Sequence, residues 1–133
     1  MICDKKIVLV MPAYNAEHTI AKTCAEIPQG VVDEVLLVDD ASRDATTEVA
    51  KGLGLHTIRH EKNTGYGGNQ KTCYSKALEI GADIVIMLHP DYQYTPKLLM
   101  AMISIIGNEV YPVVFGSRIL GGGALKGGMP MYK

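Results

Sequence analysis

Short apolar runs alternate along this chain with longer stretches in which apolar residues recur at helical spacing, the pattern of parallel strands joined by helices. Ile7 to Met11 is the first run. Asn15 follows as a candidate cap for a helix from Ala16 to about Ile27, where Ile20, Cys24 and Ile27 share a face; Pro28-Gln29-Gly30 ends it. Glu34 to Val38 reads as a second strand, and Ser42 or Asp44 can cap a helix running to about Gly52. Leu55 to Arg59 predicts a third strand nearer the sheet edge. Asn63 to Gly68 reads as a turn-rich loop before a helix from about Asn69 to Ile80, closed by Gly81. Ala82 to Leu88 is a fourth strand, Thr95 with Pro96 starts a helix through Ile106, and Val113 to Gly116 is a fifth strand. The fold class expected is α/β, a mostly parallel sheet flanked by helices.

Polar residues gather where the strands end. Pro12-Ala13-Tyr14-Asn15-Ala16-Glu17 follows the first, Asp39-Asp40-Ala41-Ser42 the second and His89-Pro90-Asp91-Tyr92-Gln93 the fourth. In a parallel sheet these segments share one edge, and ligands bind in the crevice beyond the carboxyl ends of strands where the order switches. A switch between the first and fourth strands would set the Tyr14 and Asp91 segments across that crevice from each other. Asp91 and Gln93 are oxygen donors two positions apart, a turn able to hold a hard divalent cation and leave positions for phosphates and water. Tyr14 can stack on a base, and Asp39 or Asp40 can accept from a base imide or a ribose. His89 can touch metal or nucleotide, or simply pack. Gly65-Tyr66-Gly67-Gly68 departs from the dinucleotide spacing and follows the third strand, so it reads as close backbone approach and a helix start. Arg118, after the fifth strand, offers a planar fork suited to phosphate.

Composition narrows the partners. The 133 residues carry a formal net charge of -1 and are 47% hydrophobic, which gives neither the basic excess of a nucleic-acid binder nor the profile of a disordered chain. Cys3, Cys24 and Cys73 lack metal or disulfide spacing and suit a reducing cytosol, with a structural role for each. The apolar runs from Ile7 and from Leu98 are too short to span a bilayer. Residues 1–120 are expected to form the domain; residues 121–133 read as a glycine-rich flexible tail that leads into a further C-terminal region.

Together these motifs carry a resemblance. Val10-Met11-Pro12-Ala13-Tyr14-Asn15-Ala16-Glu17, Val38-Asp39-Asp40-Ala41-Ser42-Arg43-Asp44-Ala45-Thr46, Asn63-Thr64-Gly65-Tyr66-Gly67, Asp91-Tyr92-Gln93 with Pro96, and Gly116-Ser117-Arg118 occur in the order found in family 2 glycosyltransferases of the GT-A fold. The chain most resembles the dolichyl- or polyprenyl-phosphate sugar synthases. The resemblance implies a nucleotide-sugar donor, UDP- or GDP-linked, surrounded by Pro12, Ala13, Tyr14, Glu17, Asp39, Asp40 and His89. It implies Mg²⁺ or Mn²⁺ on Asp91 and Gln93, with Asp91 and Arg118 in the catalytic roles. His89 stands where the family usually has a further acid. A lipid-phosphate acceptor is implied, with a cytoplasmic location at a membrane face and membrane contact only through the region beyond Lys133.

Chemistry points the same way. Inverting transfer to a sugar hydroxyl needs a general base, and the sequence offers no good candidate; a phosphate monoester, with its second pKa near about 6, is largely dianionic at neutral pH and needs none. Transfer to a growing polysaccharide and a non-catalytic nucleotide-sugar-binding domain are the alternatives. The turn after the first strand lacks the glycines of a dinucleotide site, which disfavours an NAD-dependent oxidoreductase.

Overall fold

A computed structural model of the protein describes residues 2–117. Four strands, β1 (Ile7–Ala13), β2 (Glu34–Asp39), β3 (His56–Arg59) and β4 (Ile84–Met87), form a parallel sheet in the order β3-β2-β1-β4. Every side chain of β1 is buried, as a central strand covered on both faces requires. Helices α1 (Ile20–Ala25), α2 (Thr46–Gly52) and α4 (Leu99–Gly107) contribute Ile20, Ala50, Leu99 and Ile103 to one core, against Ile7, Leu9, Met11 and Leu37. On the other face α3 (Gly65–Glu79) sets Cys73 and Ala77 against Val8, Val10, Leu36 and Val38. The result is three layers, with the switch in strand order between β1 and β4.

Pro12 shows where the crevice opens. The carbonyl of Val10 accepts from Leu88 N at 3.0 Å, so Val10 and, two residues on, Pro12 turn their backbone groups toward β4. The β1–β4 ladder ends at Val10 opposite Met87. A proline lacks the ladder donor, and this central strand tolerates one because its β4 neighbour has already ended at that level. β1 therefore continues through Pro12 to Ala13 alongside β2 alone, in register with Val38 and Asp39.

Some expected elements differ. Val113 to Gly116 forms no strand; Val113 and Phe115 are exposed, so this apolar run has no sheet face to cover. α1 starts at Ile20, because Asn15 adopts a left-handed φ of 49° and its side-chain oxygen accepts from Arg43 N at 2.9 Å instead of capping the helix. Asp44 accepts from Thr46 N at 3.0 Å at the start of α2, whereas Ser42 turns to Asp39. α3 begins four residues before the expected Asn69, inside the stretch read as a loop. Thr95 and Pro96 behave as expected: the Thr95 hydroxyl accepts from Lys97 N at 3.3 Å, and a 3₁₀ turn (Pro96–Leu98) leads into α4. Among the described residues no helix is long and apolar enough to cross a membrane.

Candidate functional site

The ends of β1 and β2 are laced to each other. Asn15 N donates to Ser42 Oγ and Ala16 N to Thr46 Oγ1, each at 2.8 Å, and Glu17 N donates to Asp44 Oδ2 at 3.3 Å. In return Arg43 N donates to Asn15 Oδ1 and Ala45 N to Glu17 Oε2, each at 2.9 Å. Side-chain acceptors thus satisfy backbone donors that the ending ladder leaves without partners. Glu17 serves this lacing with one oxygen and meets His18 Nε2 at 3.2 Å with the other. Tyr14, just past the end of β1, stands half exposed at the rim. Burial pushes the Asp44 carboxyl up, but hydrogen bonds from the Thr46 hydroxyl and from Glu17 N and Thr46 N outweigh it, so the group is held below its ordinary range.

Register puts Ala13, Asp39 and Arg59 in one row across three strands. Asp39 is wholly buried. Its carboxylate accepts from Ser42 N at 3.1 Å, from the Ser42 and Thr47 hydroxyls, and faces Arg59 Nη1 at 3.3 Å. Asp40, also buried, accepts from Thr64 N and Thr64 Oγ1 at 2.8 Å and from Gly65 N at 2.9 Å, and meets His60 Nδ1 at 2.7 Å. It caps α3 from 24 positions away. Burial raises the Asp40 pKa, yet His60, Thr64 and Gly65 together hold it below the ordinary carboxylate value. Gly65 has a φ of 80°, open to glycine at little cost, and a Cβ on Gly68 would lie 2.8 Å from the Thr64 side chain that shares this cap. Asn69 completes the join, donating to Val38 O at 3.0 Å and reaching Ala13 O at 3.5 Å.

Across the β1–β4 gap, His89 stacks on Tyr66 with ring centroids 5.4 Å apart and 16° between planes, and Tyr94 lies at 5.6 Å on a tilt. The Tyr66 hydroxyl is 3.0 Å from His89 Nε2. His89 thus packs against two tyrosine rings beyond the end of β4. Burial, then the neighbouring Tyr94, Tyr74 and Asp91, push the Tyr66 phenol above its ordinary value.

Asp91 and Gln93 are both exposed. Asp91 Oδ1 accepts from Gln93 N at 3.2 Å, and Tyr92 between them has a φ of 62°. Among the described residues no cluster of three or more His, Cys, Asp or Glu side chains is assembled for a metal. One carboxylate and one amide nevertheless suit Mg²⁺ or Mn²⁺, hard cations that take a few protein oxygens and complete their shell with substrate phosphates and water. Arg118 lies outside the described residues. A hollow of about 340 Å³ lined by Cys24, Ile27, Val32, Val35, Leu53 and Leu55 opens at the amino ends of the strands, away from all these groups.

Sequence reading missed Arg59, His60, Asn69 and Tyr66 as members of this edge. The first two had a signal, since a strand ending in Arg-His lies beside one ending in Asp-Asp.

A parallel sheet with its switch beside an oxygen-lined turn is the architecture of GT-A glycosyltransferases. Glucosyl-3-phosphoglycerate synthase from Mycobacterium tuberculosis, solved in complex with Mn²⁺, UDP-glucose and phosphoglyceric acid, matches it with a TM-score of 0.67 at 23% identity, over 80% of this chain and 40% of that one. The family model described as glycosyl transferase family 2 matches residues 8–132, and the chain belongs to that family. It is 33% identical over 135 residues to the UDP-N-acetylglucosamine–dolichyl-phosphate N-acetylglucosaminyltransferase of Methanococcus voltae, covering 89% of this chain and 54% of that protein. It is 27% identical over 135 residues to the dolichol-phosphate mannosyltransferase of Pyrococcus furiosus, covering 96% and 37% respectively. The chain thus spans about half, or less, of the length of these relatives.

Proposed function

We propose that this chain is the donor-binding part of an inverting glycosyltransferase that moves a sugar from a nucleoside diphosphate to a polyprenyl or dolichyl phosphate. The observation that carries the reading is the exposed Asp91-x-Gln93 turn at the carboxyl end of β4, beside the gap that opens at Pro12. Asp91 and Gln93 would hold Mg²⁺ or Mn²⁺, which, when bound, offsets charge growing on the leaving diphosphate. Tyr14 would lie against the base, and Pro12, Ala13, Glu17 and His89 would shape the pocket around the nucleotide. Asp39 and Asp40 would contribute chiefly by fixing the walls, because their carboxylates already serve several internal donors.

Arg118 would orient phosphate, of donor or acceptor. A dianionic phosphate acceptor attacks without a general base, so the sugar transfer would rest on positioning and charge stabilisation. The relatives named for dolichyl-phosphate transfer support this acceptor class. The test is calorimetric titration of the chain with UDP and GDP, each with and without Mn²⁺. One nucleotide is expected to bind, more tightly with metal; Asp91→Ala should remove the metal-dependent part, and His89→Asp should preserve or strengthen it. A His89→Asp protein with weaker metal-dependent binding would count against the site as drawn.

A further inference from the structure

The turn that carries Asp91 and Gln93 has an unusual residue at its centre. A left-handed φ of 62° is open to glycine at little cost and strained for a tyrosine, so the side chain must give something back. The Tyr92 side chain reaches α1, where its hydroxyl donates to Glu26 Oε1 and its ring lies under Lys22 Nζ, 3.8 Å from the centroid. Lys22 and Glu26 are one helical turn apart and so present one face to the ring. On the adjoining residue of α1, Thr23 Oγ1 donates to Thr19 O at 3.0 Å and lies 3.4 Å from Pro90 O, immediately before the turn. Helix α1 and its C-cap residue Glu26 therefore hold the middle of the Asp-x-Gln turn, and Thr23 packs against its entry.

We propose that Tyr92 is a positioning residue: anchored on Glu26 and Lys22, it holds the 91–93 backbone so that the Asp91 carboxylate and the Gln93 amide present their oxygens together to a divalent cation. This rests on the reading of Asp91 and Gln93 as the metal-holding pair. Tyr92 itself points into α1 and donates nothing to the cation. Its effect belongs to metal affinity and leaves the contacts proposed for the base at Tyr14, Pro12 and Ala13 untouched.

The test compares the whole chain with its Tyr92→Gly, Tyr92→Phe and Glu26→Gln variants. Mn²⁺ is titrated by electron paramagnetic resonance of the free ion in the presence of UDP and, separately, GDP; metal-free nucleotide affinity and thermal midpoint are measured alongside. Tyr92→Gly relieves the left-handed strain and removes the anchor, so folding is retained while Mn²⁺ affinity falls by about tenfold or more, the scale of lost supporting contacts at metal sites. Tyr92→Phe keeps the ring over Lys22 and should fall by a smaller factor, with Glu26→Gln similar. An unchanged Mn²⁺ affinity in Tyr92→Gly overturns the inference alone, as does an equal loss of metal-free nucleotide binding, which would mark a general structural role. A wild-type chain whose binding of both nucleotides is indifferent to Mn²⁺ overturns the donor-site reading as well.

Discussion

Replacing Asp40 by alanine is expected to destabilise the chain more than any substitution at the crevice rim. The Asp40 side chain is 4% exposed and the His60 side chain 14%, so the donors now facing the carboxylate would find little water in its place. Loss of the cap on α3 costs about 1 kcal/mol. Each donor left unsatisfied in a buried setting adds about 1–3 kcal/mol, though such terms overlap when they share one acceptor. A combined loss of about 3–4 kcal/mol is the cap together with one or two such donors. For a domain of this size that corresponds to a fall in thermal midpoint on the order of 10 °C. Asp40→Asn keeps the shape and one acceptor oxygen, and should lose about half as much.

Urea and thermal unfolding, followed by far-ultraviolet circular dichroism at neutral pH, measure both variants. Acid provides an independent arm. Because the Asp40 pKa is lowered from 3.8 in the folded protein, its ionised form stabilises the fold fully above that ordinary value, and the contribution is lost as pH falls through the lowered one. The stability gap between wild type and Asp40→Asn should therefore narrow as pH drops below about 4. Asp44 has the same direction of shift and is present in both proteins, so it lowers both curves without closing the gap. A loss under about 1 kcal/mol for Asp40→Ala, or a gap that stays constant on acidification, would refute the capping argument.

Two further outcomes follow from the same geometry. Ala41 has a φ of 59°, which is unfavourable for a residue with a Cβ; Ala41→Gly should stabilise the chain by about 0.5–1 kcal/mol in the same denaturation assay, net of the added freedom of the unfolded state. Cys73 is buried and its thiol is pushed up to about 12, and burial also raises Cys24, whereas Cys3 is exposed. At pH about 8, thiol titration of the native chain should thus show fast reaction at Cys3 only, with Cys73 protected until unfolding.

What the sequence disclosed was mainly what local chemistry decides. The run Ile7–Met11 announced a doubly covered parallel strand, and Thr95-Pro96 announced a helix start, because continuous burial and N-terminal capping act within a few residues. Asn63 to Gly68 misled because its residues favour turns. Its conversion into the first turn of α3 depends on an acceptor supplied by Asp40, which no local window contains. Val113 to Gly116 misled for the opposite reason: a short apolar run has a strand's composition, and only a partner edge makes it one. Of the site, the strand-end segments were legible because parallel topology forces them to one edge. The division of labour within them was not, since it depends on which carboxylates the fold uses internally.

That division bears on how the crevice can work. Asn15, Ala41 and Tyr92 are left-handed non-glycine residues; the first two stand two residues beyond the ends of β1 and β2, and Tyr92 five residues beyond the end of β4. Such conformations persist where surrounding contacts over-determine them. Around Asn15 and Ala41 the contacts are many: the mutual lacing of residues 15–17 with 42–46, and the Asp39 and Asp40 networks on either side of it. Tyr92 is held by the α1 contacts and by the Asp91–Gln93 turn itself. The β1–β2 wall is thus stiff before any ligand arrives, while Asp91 and Gln93 of the β4 turn are exposed. A nucleotide would meet a preformed wall, with adjustment confined to the Asp91–Gln93 side, where, on the proposed reading, a cation and the diphosphate would be brought to a common geometry. Stiffening that turn should accordingly alter metal dependence before it alters nucleotide selectivity, and loosening the β1–β2 lacing should do the reverse.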